Sequence, residues 1–299
     1  MSPESPAHPT IPLPDPIARL PSSRREWMAL MAELGIRPSK GLGQHFLFER
    51  GIVQKMVRVA GIRPDDTVLE VGPGLGILTS ELLRAAKRVV AVELDRTLAE
   101  HLRRAFGDDP RFSLVEGDAL RLAVADLVPP PTPYGVAANL PYSVGSAVLR
   151  HLLEAPHPPE RLTVMLQLEV AERLTARPPE MSVLAVAVQF YAEGRVAFRV
   201  PPGVFIPPPT VESAVVVLDV RPPPLPPGDR PRFFRIVNAG FRQKRKQVAN
   251  SLAAELALPK DEVVAWLGSV GIDPMRRAQT LSVEEWVALT RAAPVGGAA

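Results

Sequence analysis

Cysteine is absent from this 299-residue chain, which excludes disulfides, thiolate nucleophiles and sulfur-ligated zinc together. The five histidines fall at no metal-ligand spacing, so no metal is expected. Long hydrophobic runs are missing too. No uninterrupted apolar stretch reaches the roughly 18 to 20 residues a membrane helix needs, and the N-terminal "MSPESPAHPTIPLPDP" lacks the basic-then-apolar layout of a secretory signal. A cytoplasmic protein without membrane contact is expected. Net charge is small, 35 Lys and Arg against 32 Asp and Glu giving a formal +3, but the placement of the basic residues is uneven. Basic residues crowd into "FRQKRKQ", Phe241 to Gln247, a pattern shared by solvated helix faces and nucleic-acid footprints.

What the chain has is apolar content, 46% of its residues, enough for a medium domain and a small one. Residues 1–24 are Pro- and Ser-rich without periodicity and read as a mobile tail. From "REWMALMAELGI" onward apolar residues recur at helical spacing, and Ile52 to Ala60 predicts a second amphipathic helix. Compact apolar runs then alternate with helical segments. The predicted strands are Thr67–Val71, Arg88–Glu93, Phe112–Glu116, Tyr134–Asn139, Arg161–Leu166, Val183–Ala192 and Ser213–Val220. Such alternation implies a mostly parallel sheet with helices on both faces, an α/β domain over residues 25–221. The proline-dense "RPPPLPPGD" then predicts an interdomain linker at 222–230. Beyond it, Phe233–Leu256, Lys260–Val270 and Ser282–Ala292 each carry helical periodicity, so residues 231–299 are expected to form a small all-helical domain.

"VLEVGPGLGILTSEL" places Gly72, Gly74 and Gly76 between the first strand and the next helix. In an open α/β sheet this is where ligands bind, because backbone approaches closely there and the helix start offers N–H groups. A plain tight turn reads the same way, and a dinucleotide is the usual functional guess. Pro73 argues against a pyrophosphate, since it removes one backbone donor from the cradle. Glu93 ends "RVVAVELD" and Asp118 follows "FSLVEGDAL". A carboxylate at the second strand tip can accept from both ribose hydroxyls, and one at the third from an adenine amine. Together with Gly72 they describe a nucleoside slot, and S-adenosylmethionine is the nucleoside cofactor that needs no phosphate cradle.

"VAANLPYSVGSAVL" ends the fourth strand in the same crevice. Asn139 supplies a carbonyl acceptor, and Pro141 biases Leu140 toward an extended conformation that can turn its backbone carbonyl outward. Two acceptors facing the two N–H donors of an adenine amine favour a pyramidal nitrogen with an available lone pair. Tyr142 can stack on the base. A capped turn with a core tyrosine is the plainer alternative.

"GLGQHFL", "EVGPGLGILT", "VELDR", "EGDAL", "NLPY", "LQLEVAERLTARP", "PPGVFIPPPTVESAVV" and "GIDPMRRAQTLS" occur here in the order seen in ribosomal RNA adenine dimethyltransferases. The resemblance spans about residues 36 to 290 and is strongest to the bacterial small-subunit group. It implies a Rossmann-like S-adenosylmethionine-dependent methyltransferase sheet with a helical C-terminal domain. The implied activity is dimethylation of two adjacent adenines in the 3′-terminal hairpin of small-subunit rRNA, on that rRNA or an immature small subunit, by a monomer. By matching positions, His45, Leu47, Gly72, Glu93, Asp118 and Asn139 would line the cofactor site, with Gly74 and Ala119 beside them. Asn139, Leu140, Pro141 and Tyr142 would form the reacting turn, and Phe205 would sandwich the base opposite Tyr142. From the residues alone, Phe205 reads equally as a buried loop anchor. Arg242, Lys244, Arg245 and Lys246 are the expected RNA contacts.

Two positions depart from the family pattern. His45 stands where the family usually has Asn, which places an imidazole at the contact to the methionine part of the cofactor. Leu168 stands where a Lys is usual. Two other functions remain open at this level: a related large-subunit rRNA methyltransferase of the macrolide-resistance type, which "GIDPMRRAQTLS" argues against, and an assembly factor with little catalysis, which rests on His45.

Overall fold

The computed structural model describes residues 15–36 and 44–294. In chain order the elements are α1 (Arg24–Glu33), β1 (Phe46–Leu47), α2 (Arg50–Ala60), β2 (Thr67–Val71), α3 (Ile77–Ala85), β3 (Arg88–Glu93), α4 (Arg96–Phe106), β4 (Phe112–Glu116) and α5 (Val124–Leu127). There follow β5 (Tyr134–Asn139), α6 (Gly145–Leu153), β6 (Arg161–Gln167), α7 (Leu168–Thr175), α8 (Val183–Gln189), β7 (Ala192–Val200), β8 (Phe205–Ile206) and β9 (Ser213–Val220). The chain closes with α9 (Arg230–Phe241), α10 (Val248–Leu256), α11 (Lys260–Ser269) and α12 (Val283–Arg291).

Every residue of β2 is buried, as a strand covered by helices on both faces requires. The main sheet runs β4-β3-β2-β5-β6-β9-β7. Its first five strands are parallel, and β9 pairs antiparallel with both β6 and β7. From β2 the chain moves outward to β3 and β4, then returns to β5 on the other side of β2. The strand order therefore reverses between β2 and β5, and the crevice beyond their carboxyl ends is where an open sheet of this kind receives a ligand. One apolar core lies on the face of Leu69, Val136 and Ala138, and a second on that of Val68, Ala137 and Met165.

Three expectations need correction. The run Val183–Ala192 is not a strand: α8 occupies most of it, and the strand β7 starts only at Ala192. A short run apolar on every side carries no period to separate helix from strand. The Ser182 side chain decides it by accepting from Ala185 N–H at 3.1 Å, an N-cap that starts the helix. Second, Phe233–Leu256 is two helices, and the break between α9 and α10 falls on the basic cluster. There the Val248 N–H donates to the Arg276 carbonyl at 2.7 Å, which ties the new helix start to the loop before α12.

Third, residues 15–23 do not continue a mobile tail. Asp15 caps a single 3₁₀ turn over Pro16–Arg19, Pro16 and Leu20 are buried, and Arg19 donates to the Ala105 carbonyl at 2.8 Å and pairs with Asp108. Residues 1–14 of the expected tail lie outside the described residues, as do 37–43 and 295–299. The segment 222–230, expected as a linker, packs against the rest of the chain. Leu225 is buried in the core that holds Phe190, Phe233 and Trp286, and Arg291 donates to the Pro224 carbonyl at 2.8 Å. The helices α9–α12 share that core with the sheet, the Phe190 and Phe233 rings lying 4.4 Å apart. Among the described residues no helix is long and apolar enough to cross a membrane, and no cluster of three or more metal-ligating side chains occurs.

Candidate active site

The turn after β2 forms the floor of the crevice. Gly72, Gly74 and Gly76 all take positive φ, at 68°, 59° and 87°, a region closed to most side chains. A Cβ on Gly74 would also sit 3.4 Å from the Phe46 ring. Three of the turn's N–H groups are committed: Gly72 donates to the Val92 carbonyl at 2.9 Å, Gly74 to Glu93 Oε2 at 3.1 Å and Gly76 to the Pro73 carbonyl at 3.0 Å. Pro73 has none to give. Few donors of the turn itself are left for a phosphate.

Glu93 is buried, and burial pushes its carboxyl pKa up, while the N–H groups of Asp95 and Gly74 pull it back. Asp95 N–H reaches Oε1 at 2.9 Å. With one donor on each oxygen, the carboxylate keeps about two further lone-pair sites. Vicinal hydroxyls supply two donors at matching spacing, so the residues present fit the ribose of a nucleoside cofactor. These groups face a cleft open to solvent, with a cavity volume of about 90 Å³.

His45, Leu47, Gly72, Gly74, Glu93, Asn139, Leu140, Pro141, Tyr142 and Phe205 all line this cleft. Asp118 and Ala119 do not. Asp118 stands one strand further out, accepting from Leu120 N–H at 2.9 Å and pairing with Arg121 at 3.4 Å. The Gly117 N–H donates to the Glu93 carbonyl at 2.9 Å, which keeps Asp118 next to the slot's open edge.

Asn139 ends β5 half-buried, and no group among the described residues bonds its side chain or the Leu140 carbonyl. Two acceptors are thus left over where the sheet opens. Leu140 itself is 1% exposed, its N–H donating to the Met165 carbonyl at 3.3 Å. Tyr142 shares a 2.6 Å hydrogen bond with the Ser213 hydroxyl, and burial raises its phenol pKa. Phe205 is also only 1% exposed and forms β8, which pairs antiparallel with β1 through Leu47↔Phe205 and Phe46↔Ile206. The loop-anchor and base-facing descriptions of Phe205 therefore coincide: a buried ring that lines the cleft.

His45 donates from Nδ1 to the Pro207 carbonyl at 2.8 Å, and its ring lies 5.3 Å from that of Tyr142. Leu168, the other departure, opens α7 and packs against the main core, its N–H bonded to the Glu212 carbonyl at 2.9 Å. Arg242, Lys244, Arg245 and Lys246 are exposed in the turn between α9 and α10, with no carboxylate within ion-pair distance among the described residues. Lys244 also edges a groove shared by α7, α8 and Phe241.

Sequence reasoning missed Glu70, Gln44 and Ser213. Glu70 lines the cleft fully buried; burial pushes its pKa up to about 8 against the pull of the Thr79 hydroxyl, which donates at 2.7 Å. A charged residue inside the otherwise apolar "TVLEV", two positions before Gly72, was a readable signal. Gln44 lines the cleft beside His45, and only the fold brings it there.

A family model described as ribosomal RNA adenine dimethylase matches residues 37–293. A relative from Dehalococcoides mccartyi strain CBDB1, named ribosomal RNA small subunit methyltransferase A, is 42% identical over 271 residues, covering 90% of this chain and 93% of its own. One of the same name from Moorella thermoacetica is 41% identical, covering 88% and 95%. Among solved structures, the 23S rRNA methyltransferase ErmE is 31% identical with a TM-score of 0.67, covering 83% of this chain and 98% of its own. A dimethyladenosine transferase from Plasmodium falciparum is 25% identical with a TM-score of 0.71, covering 82% and 96%. With the family model matching residues 37–293 and relatives 41–42% identical over 88–90% of the chain, this protein belongs to the ribosomal RNA adenine dimethylase family.

Proposed function

We propose that this enzyme dimethylates the N6 nitrogens of two adjacent adenines in the 3′-terminal hairpin of small-subunit rRNA, working in the cytoplasm as a monomer on the rRNA or the immature subunit that carries it. The observation that carries this reading is a pair of acceptors, Asn139 and the Leu140 carbonyl, that no group among the described residues fills, at the strand-order reversal beside the buried Glu93. Relatives named for the small subunit share 41–42% identity over 88–90% of this chain, against 31% over 83% for the named 23S enzyme. That difference favours the small-subunit substrate over the large-subunit alternative.

When bound, S-adenosylmethionine supplies an electrophilic methyl group on a sulfonium. Glu93 would hold the ribose hydroxyls, Gly72 and Gly74 would give the ligand close access to backbone, and Asp118 would accept from the adenine amine. The chain's own work is orientation. Asn139 Oδ1 and the Leu140 carbonyl each accept one N–H of the target amine, which turns its lone pair out of the base plane. The same carbonyl dipoles face the positive charge that develops on that nitrogen. Tyr142 and Phe205 provide aromatic surface for the extracted base. No nucleophilic side chain takes part, so geometry carries the rate.

Purified protein should transfer methyl groups to small subunits that lack the modification, with dimethyladenosine appearing by mass spectrometry of the rRNA. Asn139→Ala should slow transfer by about 10²- to 10³-fold, the scale of losing one preorganised group, while subunit binding stays intact. Wild-type protein that binds subunits and methylates nothing would leave the assembly-factor reading standing.

A further inference from the structure

We propose that Ser213 and His45 are positioning residues that lock the Tyr142 ring as a fixed wall for the target base, an inference that rests on the base-binding reading above. Tyr142 lies in the turn after β5, and its ring could rotate if nothing held it. Its phenol meets Ser213 Oγ at 2.6 Å. Ser213 is fully buried and opens β9, its backbone placed in the sheet between Gln167 of β6 and Val200 of β7. The hydroxyl thus projects from the most rigid kind of scaffold the fold contains, and it is 71 residues from the ring it holds.

His45 holds the ring from another side. Its centroid lies 5.3 Å from that of Tyr142 with the planes at 34°. The imidazole cannot swing away, because Nδ1–H is bonded to the Pro207 carbonyl at 2.8 Å and the adjoining Phe46 and Leu47 are laddered to Ile206 and Phe205. The segment "FIPPPTVES" therefore does two jobs. Phe205 at its start lines the cleft, and Ser213 at its end anchors the opposing aromatic. Pre-setting both walls matters because a misplacement of about 1 Å at a reacting group costs about 10²-fold in rate.

The test is a double-mutant cycle on Ser213→Ala and Tyr142→Phe, with single-turnover methyl transfer to unmethylated small subunits as the rate and equilibrium binding of S-adenosylmethionine as the control. Each single variant should lose about five- to tenfold in rate, the worth of one hydrogen bond. The double variant should lose no more than either single, and cofactor affinity should stay within about twofold. His45→Ala should also slow transfer, and because His45 lines the cofactor cleft its rate is read at saturating S-adenosylmethionine. Losses that multiply to about 25- to 100-fold, or a Ser213→Ala enzyme with full rate, would overturn the proposal.

A second readout needs no activity. The chain has three tyrosines, so fluorotyrosine labelling gives three ¹⁹F resonances, and Tyr142→Phe identifies one of them. That resonance should shift or broaden in Ser213→Ala while those of Tyr134 and Tyr191 stay in place. An inactive wild type would count against the functional reading, and an unmoved Tyr142 resonance against the anchoring.

Discussion

Replacing Glu70 with Gln should change how the stability of this protein depends on pH. Glu70 is fully buried in β2, and desolvation, helped by repulsion from Glu93, raises its pKa from 4.5 to about 8 even though Thr79 donates to it. The folded chain therefore keeps a proton that the unfolded chain has released. Its stabilising effect is fully present below pH 4.5, is lost as pH rises toward 8, and levels off above that. One proton corresponds to about 1.4 kcal/mol per pH unit, so wild-type stability should fall by about 4 kcal/mol from this group between pH 5 and pH 8. Gln has nearly the same shape, still accepts from Thr79 and does not titrate. Urea midpoints of both proteins at pH 5, 6, 7 and 8 isolate the group, because other titrations are common to the two. The difference should move toward the variant by about 4 kcal/mol across that range. A difference that is flat with pH would refute burial as the control on this carboxyl.

Lys244→Ala, Arg245→Ala and Lys246→Ala in combination should weaken binding to small subunits and reduce the slope of log affinity against log salt by about 2 to 3, since each lost phosphate contact removes roughly 0.7 to 0.9. An unchanged slope would remove the cluster from the RNA footprint. Gly240→Ala tests the helical part: the new Cβ would sit 2.4 Å from Trp286 Cη2, so α9 and α12 must separate. A loss of about 1 to 3 kcal/mol in chemical denaturation is expected, and a neutral result would mean the Trp286 ring has room to move.

The sheet was readable because β2, β3, β4 and β5 combine short apolar runs with turn residues at their ends, and the observed bounds match the expected ones. The strand order was not readable, since helical crossovers imply parallel strands without saying on which side of β2 the chain places β5. Val183–Ala192 failed for the opposite reason: it is apolar on all sides, and only its cap and its neighbours decide its form. The split between α9 and α10 was hidden because "FRQKRKQ" continues helical composition while a distant carbonyl, that of Arg276, fixes where the next helix starts. At the site, Glu93, Gly72 and Asn139 were legible from their places at strand ends. Ser213 was not, because its role is a contact across 71 residues.

The cleft wall formed by β1 and β8 shows how far the site depends on parts that do no chemistry. Two strands of two residues each form too small a ladder to be stable alone. Phe46, Leu47 and Phe205 hold it by inserting into the second core, whose other members include Trp27 and Met31 of α1 and Val53 and Met56 of α2. The same core takes in Leu20, just past the 3₁₀ turn, and Arg19 in that turn is tied to Ala105 in the last turn of α4 and to Asp108 just beyond it. The N-terminal elements thus brace Phe205, and β9 braces Tyr142 through Ser213. Tyr142 follows β5 in a turn and Phe205 lies in the two-residue β8, and such short segments alone would leave both rings free to move. Their fixed places come from two independent supports that reach back into the core on one side and into the sheet on the other.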